Sequence, residues 1–403
     1  MIGYTSFAVF LFFAISLIIP SGFSVGATAL LLGGLVLFRR DVRLRLDSED
    51  RLLIAVLLFY FVVAVIMNLI HGEIIKEYDL PLRFLLAIPA LLVLRVYPPT
   101  PRYFWAGLAI GGILAGLFTG WQNLFVLHGR ANGYTNAIQY GNISFIIGML
   151  CLAGLGWAKE QSRANVWVLF LIVGAVMGML GSMFTGSRGS WVGLPVCLYL
   201  LYRCYGGTIS KRYLVGIISA LVVICAVIYM IPRTDVKARV QLAFAEAQDY
   251  AKTRNADSSI GTRMEMWRAG ALAAQERPLL GWGKAGFVVR ETELINEGKV
   301  SPLMKDNNHV YNEWLDAIVK RGVPGLLVLL ALYLVPLYLF AGYLRRGSAA
   351  QRPYALCGLM LIVCYIGFGF SQVFMAHNTG VMTLGFTLVI LWGLLKAEER
   401  PFA

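Results

Sequence analysis

The run LLIAVLLFYFVVAVIMNLI at 52–70 holds nineteen residues without a single charge. A helix of about 20 such residues spans the hydrocarbon core of a bilayer. The run LVGIISALVVICAVIYMI at 214–231 is of the same kind. Both are apolar all round, without the one-sided stripe of a helix lying on a soluble core. With 58% hydrophobic and only 14% charged residues, a 403-residue chain lacks the polar surface that a soluble bundle requires. The expected fold is an all-α polytopic membrane protein. About twelve transmembrane helices are predicted, near 5–20, 23–38, 52–70, 83–97, 104–126, 143–158, 166–184, 190–205, 213–231, 323–344, 354–374 and 379–396.

Charge orients them. If the N-terminus is cytoplasmic, the short inside connections, from FRRDVRLRLDSEDR to the C-terminal KAEER, carry 17 Lys and Arg. The short outside connections carry four, Lys76, Arg83, Arg130 and Arg188. This is the bias that sets orientation in multispanning proteins. The other 14 basic residues lie with 12 acidic ones in the long segment 233–322, which is exempt from the rule by its length. Three parts are therefore expected: 1–232 with nine spans, 233–322 as one large, partly helical outer loop, and 323–403 with three spans and an inner tail. No A-x-A-like site follows the first span, which reads as an uncleaved signal anchor. The formal charge of +13 is accounted for largely by inner loops facing anionic lipid, and no nucleic-acid motif accompanies it. The six cysteines (151, 197, 204, 225, 357, 364) all fall in or at the ends of spans, and no Cys/His spacing fits zinc.

In this topology His71, His128, His309 and His377 all map to the outer side, and three patterns stand out there. In GSMFTGSRGSWVGLP at 181–195, Ser187, Ser190 and the glycines open the backbone where a helix begins. Arg188 there suits a phosphate, or is a snorkelling arginine at a span end. In SSIGTRMEMWRAGALAAQERPLLGWG at 258–283, Thr262 and Glu265 have capping-box spacing, which puts Arg263 in the first helical turn. First-turn amides plus a guanidinium again fit phosphate, whereas the plain alternative is a solvated arginine. In DNNHVYNEWLDAIVKRGVPG at 306–325, His309 opens an amphipathic segment expected to end at Gly322 and Pro324. Glu313, four residues on, is placed to hold the imidazole in one tautomer, and the bland alternative is a capping histidine.

Together these motifs, T-G-S-R-G-S, G-T-R-M-E-M-W with R-P-L-L-G-W-G, and N-N-H-V-Y-N-E-W-L with R-G-V-P-G-L, resemble the O-antigen ligase and polymerase family of membrane glycosyltransferases. The resemblance implies a GT-C-like fold, and transfer of an undecaprenyl-pyrophosphate-linked glycan on the periplasmic face of the bacterial inner membrane. In the ligase branch the acceptor is a sugar hydroxyl of lipid A-core oligosaccharide. In the polymerase branch it is another lipid-linked repeat unit. A length near 400 residues without a large terminal soluble domain favours the ligase.

The chemistry assigns roles. A departing pyrophosphate needs positive charge with bidentate geometry, for which Arg188 and Arg263 are the candidates. The attacking hydroxyl needs a base, for which His309 is the candidate. Ser187, Ser190, Asn308, Tyr311 and Asn312 are expected as substrate contacts, Trp267 and Trp282 as sugar-stacking or interfacial rings, and Glu313 and Glu265 as supporting carboxylates. No metal or other cofactor is expected: there is no D-x-D, and the first outer loop is only PSGFS. The expected partners are the lipid-linked donor, the lipid A-core acceptor and membrane lipids. Twelve spans with a basic outer face also fit a transporter of an anionic solute, but the spans hold few central charges and no repeat is evident.

Overall fold

A computed structural model of the chain describes residues 1–39, 44–127, 130–187, 189–206, 219, 236–304 and 309–399. Among them every regular element is a helix. The first group comprises α1 (Ile2–Ala14), α2 (Gly22–Gly33), α3 (Ser48–Ile70), α4 (Asp79–Val96), α5 (Pro101–Trp121), α6 (Ala137–Ala153), α7 (Leu155–Lys159), α8 (Ala164–Phe184) and α9 (Leu194–Tyr205). Next come α10 (Val236–Thr253), α11 (Ser259–Glu276) and α12 (Gly283–Asn296). The chain closes with α13 (Glu313–Arg346), α14 (Arg352–Gly369) and α15 (Asn378–Ala397).

Seven described helices are long and apolar enough to cross a membrane, and Ile2–Ala14 and Gly22–Phe38 are shorter apolar ones. Of the twelve expected spans, 213–231 lies, but for residue 219, outside the described residues; the other eleven overlap helices, 5–20 only as far as Ala14. The chain is a polytopic all-α membrane protein. Helices α6 and α15 form its centre, since 94% of the apolar window of each is buried, against 39% for α3 and α8. Small residues let the backbones close up: a Cβ on Gly112 of α5 would stand 2.3 Å from the Gly174 carbonyl oxygen of α8. Such contact suits a bundle whose apolar sides gain little from leaving lipid.

Helices α10–α12 gather at the end of the bundle where α3 finishes and α6 begins. A small core of Met266, Ala269, Leu294, Val300 and Met304 holds α11 and α12 together. A second, of Ala273, Phe287, Val310 and Val319, seats both on the start of α13. Arg290 fans out to Glu276 (2.6 Å), Glu293 (2.8 Å) and Glu297 (2.8 Å), and with Lys299 it holds the Glu297 carboxyl down to about 2.

The opposite end is tied by charge. Asp47 caps α3, and the fully buried Asp50 pairs with Arg95 of α4 at 2.8 Å while accepting from Trp392 of α15 at 2.8 Å. Lys396, buried in α15, lies 2.9 Å from both Asp47 and Glu49 and 3.0 Å from Glu399. Tyr343 of α13 donates to Glu49 at 2.5 Å.

Candidate active site around His309

Where α13 begins decides where His309 points. Asn312 is the N-cap, its Oδ1 accepting the Leu315 N–H at 3.0 Å, so the helix starts at Glu313 and His309 stands in a bend ahead of it. The expected one-turn pairing of His309 with Glu313 therefore does not form. Glu313 turns away and accepts the backbone N–H groups of Phe374 (2.5 Å) and Met375 (3.1 Å). Asn312, expected at the substrate, has its carbonyl committed to the cap. Between the two, Tyr311 holds a left-handed φ of 51°, a conformation that costs a non-glycine residue roughly 1–3 kcal/mol and clusters at functional sites.

That strained residue links two expected site residues. The Tyr311 ring lies 4.7 Å from the His309 ring, and the Arg263 guanidinium sits over it at 5.4 Å. On its other side His309 meets His377 edge-on, with ring centroids 5.8 Å apart. His309 Nε2 is buried and has no hydrogen-bond partner among the described residues. Burial pushes the imidazole down to about 4, against the opposing charge of Asp316 and with help from Lys320. His377 is lowered too, by burial and by Lys320. Both rings are therefore neutral at pH 7, with lone pairs to offer.

A cavity of about 260 Å³ opens beside the two histidines. Tyr60 and Asn68 of α3, Glu73 and Glu77 beyond it, Lys284, and Asp316, Lys320 and Arg321 of α13 also line it. The charges are mixed and largely paired: Lys320 with Asp316 at 2.8 Å, Lys284 with Glu77 at 2.6 Å. The loop after α3 docks α12, because Glu73 accepts the Lys284 and Ala285 N–H groups at that helix's start, and His71 Nε2 meets the Leu280 carbonyl at 2.9 Å.

Two sequence motifs prove to be one joint. The R-P-L-L-G-W-G stretch crosses α13 where that helix kinks: Trp282 N–H bonds the Val319 carbonyl and Val323 N–H the Pro278 carbonyl, each at 2.8 Å. The expected helix end at Gly322 and Pro324 is this kink, beyond which α13 runs on to Arg346. Gly322 has φ 62°, and a Cβ there would stand 2.1 Å from the Leu279 carbonyl oxygen, so glycine is required on both counts. Trp282 belongs to the joint, its Nε1 bonded to the Ala273 carbonyl at 2.8 Å and its ring under Arg277 at 4.0 Å.

Other expected residues divide as follows. The expected Thr262–Glu265 capping box is absent, because Ser258 caps α11 four residues earlier, with its Oγ accepting the Gly261 N–H at 2.9 Å. Arg263 thus lies past the first turn, and first-turn amides do not surround it. Glu265 is buried and accepts from Tyr250 at 2.5 Å and the Ser301 N–H at 2.9 Å, joining α10, α11 and the chain after α12. Ser187 and Ser190 both donate to Asn142 Oδ1, the former at 2.9 Å. The Asn142 Nδ2 and the Trp267 Nε1 are buried without partners among the described residues. Arg188, Asn308 and His128 lie outside the described residues. Asp316, Lys320, Arg321 and Gln372 were not singled out by sequence. The i, i+4 spacing of Asp316 and Lys320 is a readable signal, whereas nothing local points to Gln372, which meets His377 at 3.1 Å.

Fold and site together define a membrane-integral helical protein with a cavity, lined by two half-buried histidines, where a helical insertion seats on the bundle. Residues 173–330 match the family described as O-antigen ligase. This supports an activity of the O-antigen ligase or polymerase type, in a membrane glycosyltransferase-like enzyme acting between lipid-linked glycan and lipid-anchored acceptor. Over 373 residues the chain is also 27% identical to an uncharacterized protein of Haemophilus influenzae, covering 92% of this chain and 93% of that one.

Proposed function

We propose that the protein is an O-antigen ligase, which moves a glycan from undecaprenyl pyrophosphate to a sugar hydroxyl of lipid A-core oligosaccharide. The observation that carries this reading is the buried Nε2 of His309 at a cavity, without a partner among the described residues, with Arg263 held beyond Tyr311. An attacking hydroxyl in the cavity gives its proton to His309 as its oxygen bonds the anomeric carbon. On the opposite side the pyrophosphate leaves with the electrons of the broken bond, stabilised by Arg263 and, by its sequence context, Arg188. One such displacement inverts the anomeric centre.

Because His309 is held down to about 4, it is neutral but weakly basic when the site is empty. An arriving pyrophosphate brings negative charge nearby, which favours the imidazolium and strengthens the base as the reaction needs. The charge bias of the short connections supports termini in the cytoplasm and a 233–322 segment, with the site, on the periplasmic face of an inner membrane. Arginines take the part that a divalent cation plays elsewhere, so transfer survives EDTA.

The test uses purified protein in lipid with a synthetic undecaprenyl-pyrophosphate glycan and lipid A-core, read by gel shift of the acceptor. Transfer that is lost in His309→Ala and Arg263→Ala and persists in EDTA supports the reading. Lengthening of the lipid-linked glycan with no shift of lipid A-core would replace it by the polymerase.

A further inference from the structure

A base that takes up a proton in a buried site needs a neighbour for the cation it becomes, as the carboxylate provides in a Ser-His-Asp triad. Neither nearby carboxylate is free for that work. Glu313 is taken up by the Phe374 and Met375 amides, and Asp316 by Lys320 at 2.8 Å and the Val310 N–H at 3.4 Å. Tyr311 lies against His309 with its ring tilted by 38°. His377 meets it edge-on at 87°, with centroids 5.8 Å apart. Two imidazoles joined by an N–H···N bond of ordinary length have centroids about 5 Å apart, so a shift of about 1 Å between the rings, with a rotation that aligns their nitrogens, closes the bond.

His377 is itself held on two sides. Its Nε2 meets the Gln372 amide at 3.1 Å. The turn before it, Phe374–Ala376, is fastened to α13 through the Glu313 carboxylate. The two ends of an amide are interchangeable by rotation. With the Gln372 carbonyl turned to accept the His377 Nε2–H, Nδ1 of His377 is left as an acceptor.

Resting on the reading of His309 as the base, we infer that His377 is the positioning residue for it, accepting the N–H of the other ring nitrogen of His309 while Nε2 takes the proton of the acceptor hydroxyl. The hydroxyl O–H bond breaks and an N–H bond forms on His309. His377 stabilises the resulting cation through the other N–H until Nε2 gives its proton up to water, and both imidazoles return to neutral. The charges facing the pair come from every side of the cavity: Asp316, Lys320, Arg321 and Glu313 from α13, Lys284 from α12, Glu73 and Glu77 from the connection after α3.

The experiment compares kcat, acceptor KM and the pH dependence of kcat/KM for full-length wild type, His377→Ala and His377→Gln in lipid, with the polyprenyl-pyrophosphate glycan and lipid A-core. His377→Ala is expected to lower kcat roughly 10- to 100-fold with little change in KM. Its acidic limb moves to lower pH, because the His309 cation has lost its acceptor. His377→Gln, whose amide oxygen accepts a hydrogen bond, recovers most of kcat. Equal impairment in both variants with an unmoved acidic limb overturns the inference, as does a rise in KM at unchanged kcat. Should His377→Ala fail to fold, Gln372→Leu, which loosens the imidazole without removing it, must move the acidic limb the same way, and an unmoved limb overturns the inference. Full transfer by His309→Ala would instead remove the base reading, whatever His377 does.

Discussion

At the end of the bundle away from the loop helices, Lys396 is ringed by Asp47, Glu49 and Glu399, and Asp50 is shared between Arg95 and Trp392. At the loop end, His309 Nε2, Gln372 Oε1, Asn142 Nδ2, Gln139 Nε2 and Asn378 Oδ1 are buried with no partner among the described residues. Both ends bury polar groups: at the first the charged ones are paired, while Trp105 Nε1 and Tyr354 Oη lack partners among the described residues, and at the second the unpaired atoms are more numerous and gather near His309 and His377. A buried unpaired donor or acceptor costs about 1–3 kcal/mol, so a cluster of them persists where a ligand or water completes it. The paired end holds four helices in register; the other carries the candidate site.

Substitutions separate these roles. The largest effect on transfer is expected for His309→Ala, a loss of about 10²- to 10⁴-fold in kcat, with a melting temperature equal to or above that of wild type because an unsatisfied buried group has gone. A large fall in melting temperature with transfer per folded molecule unchanged would mean that the loop end is structural after all. Lys396→Met is the mirror image. It removes the cation shared by Asp47, Glu49 and Glu399, which are partly exposed and keep Arg95, Arg346 and Tyr343 between them, and is expected to destabilise the protein by about 1–2 kcal/mol, while the folded fraction keeps its transfer rate within a few-fold. Calorimetry of the two variants beside an activity assay decides whether the ends are as different as their hydrogen bonds.

A smaller effect follows from pH. His309 sits at about 4 when folded and near its ordinary 6.5 when unfolded, and His377 is shifted in the same direction. The unfolded chain therefore binds more protons below pH 6.5, so the stability linked to these neutral rings is complete above 6.5 and is lost as pH falls toward 4. The melting temperature of wild type should drop more steeply between pH 6.5 and 4.5 than that of His309→Gln. Parallel curves would show that the imidazole is not buried as described.

The sequence made the spans readable because a stretch such as 52–70 is apolar whatever packs against it, whereas the site depended on choices between neighbours. Ser258 and Thr262 are both good caps, and Ser258 wins, which moved Arg263 a turn into α11. Asn312 and His309 compete in the same way at α13, and the win of Asn312 undid the pairing with Glu313. His309, Tyr311 and Arg263 were each legible as residues, but their stacking joins chain segments some 50 residues apart. The Glu313 clamp on Phe374, 61 residues away, and the Gln372–His377 contact have no local signature at all. That R-P-L-L-G-W-G and R-G-V-P-G-L form one joint emerges only when the Leu279 carbonyl is seen against Gly322.

The smallest effect sharpens where the unpaired end begins. Asn312 stands three residues from His309, and its Oδ1 is spent on the Leu315 N–H. If that bond is its whole function, Asn312→Ala costs about 1 kcal/mol, the usual loss for a helix cap, and Asn312→Asp or Asn312→Ser, which cap as well, restores it. Acceptor and donor KM stay within about twofold, and kcat falls only as far as α13's first turn frays. If Asn312 instead reaches substrate through its amide nitrogen, stability hardly changes and KM rises, and Asn312→Ser does not rescue it, since serine keeps the cap but loses the amide. Thermal unfolding and steady-state kinetics on Asn312→Ala and Asn312→Ser therefore draw the line between the residues that build the site and those that meet the glycan.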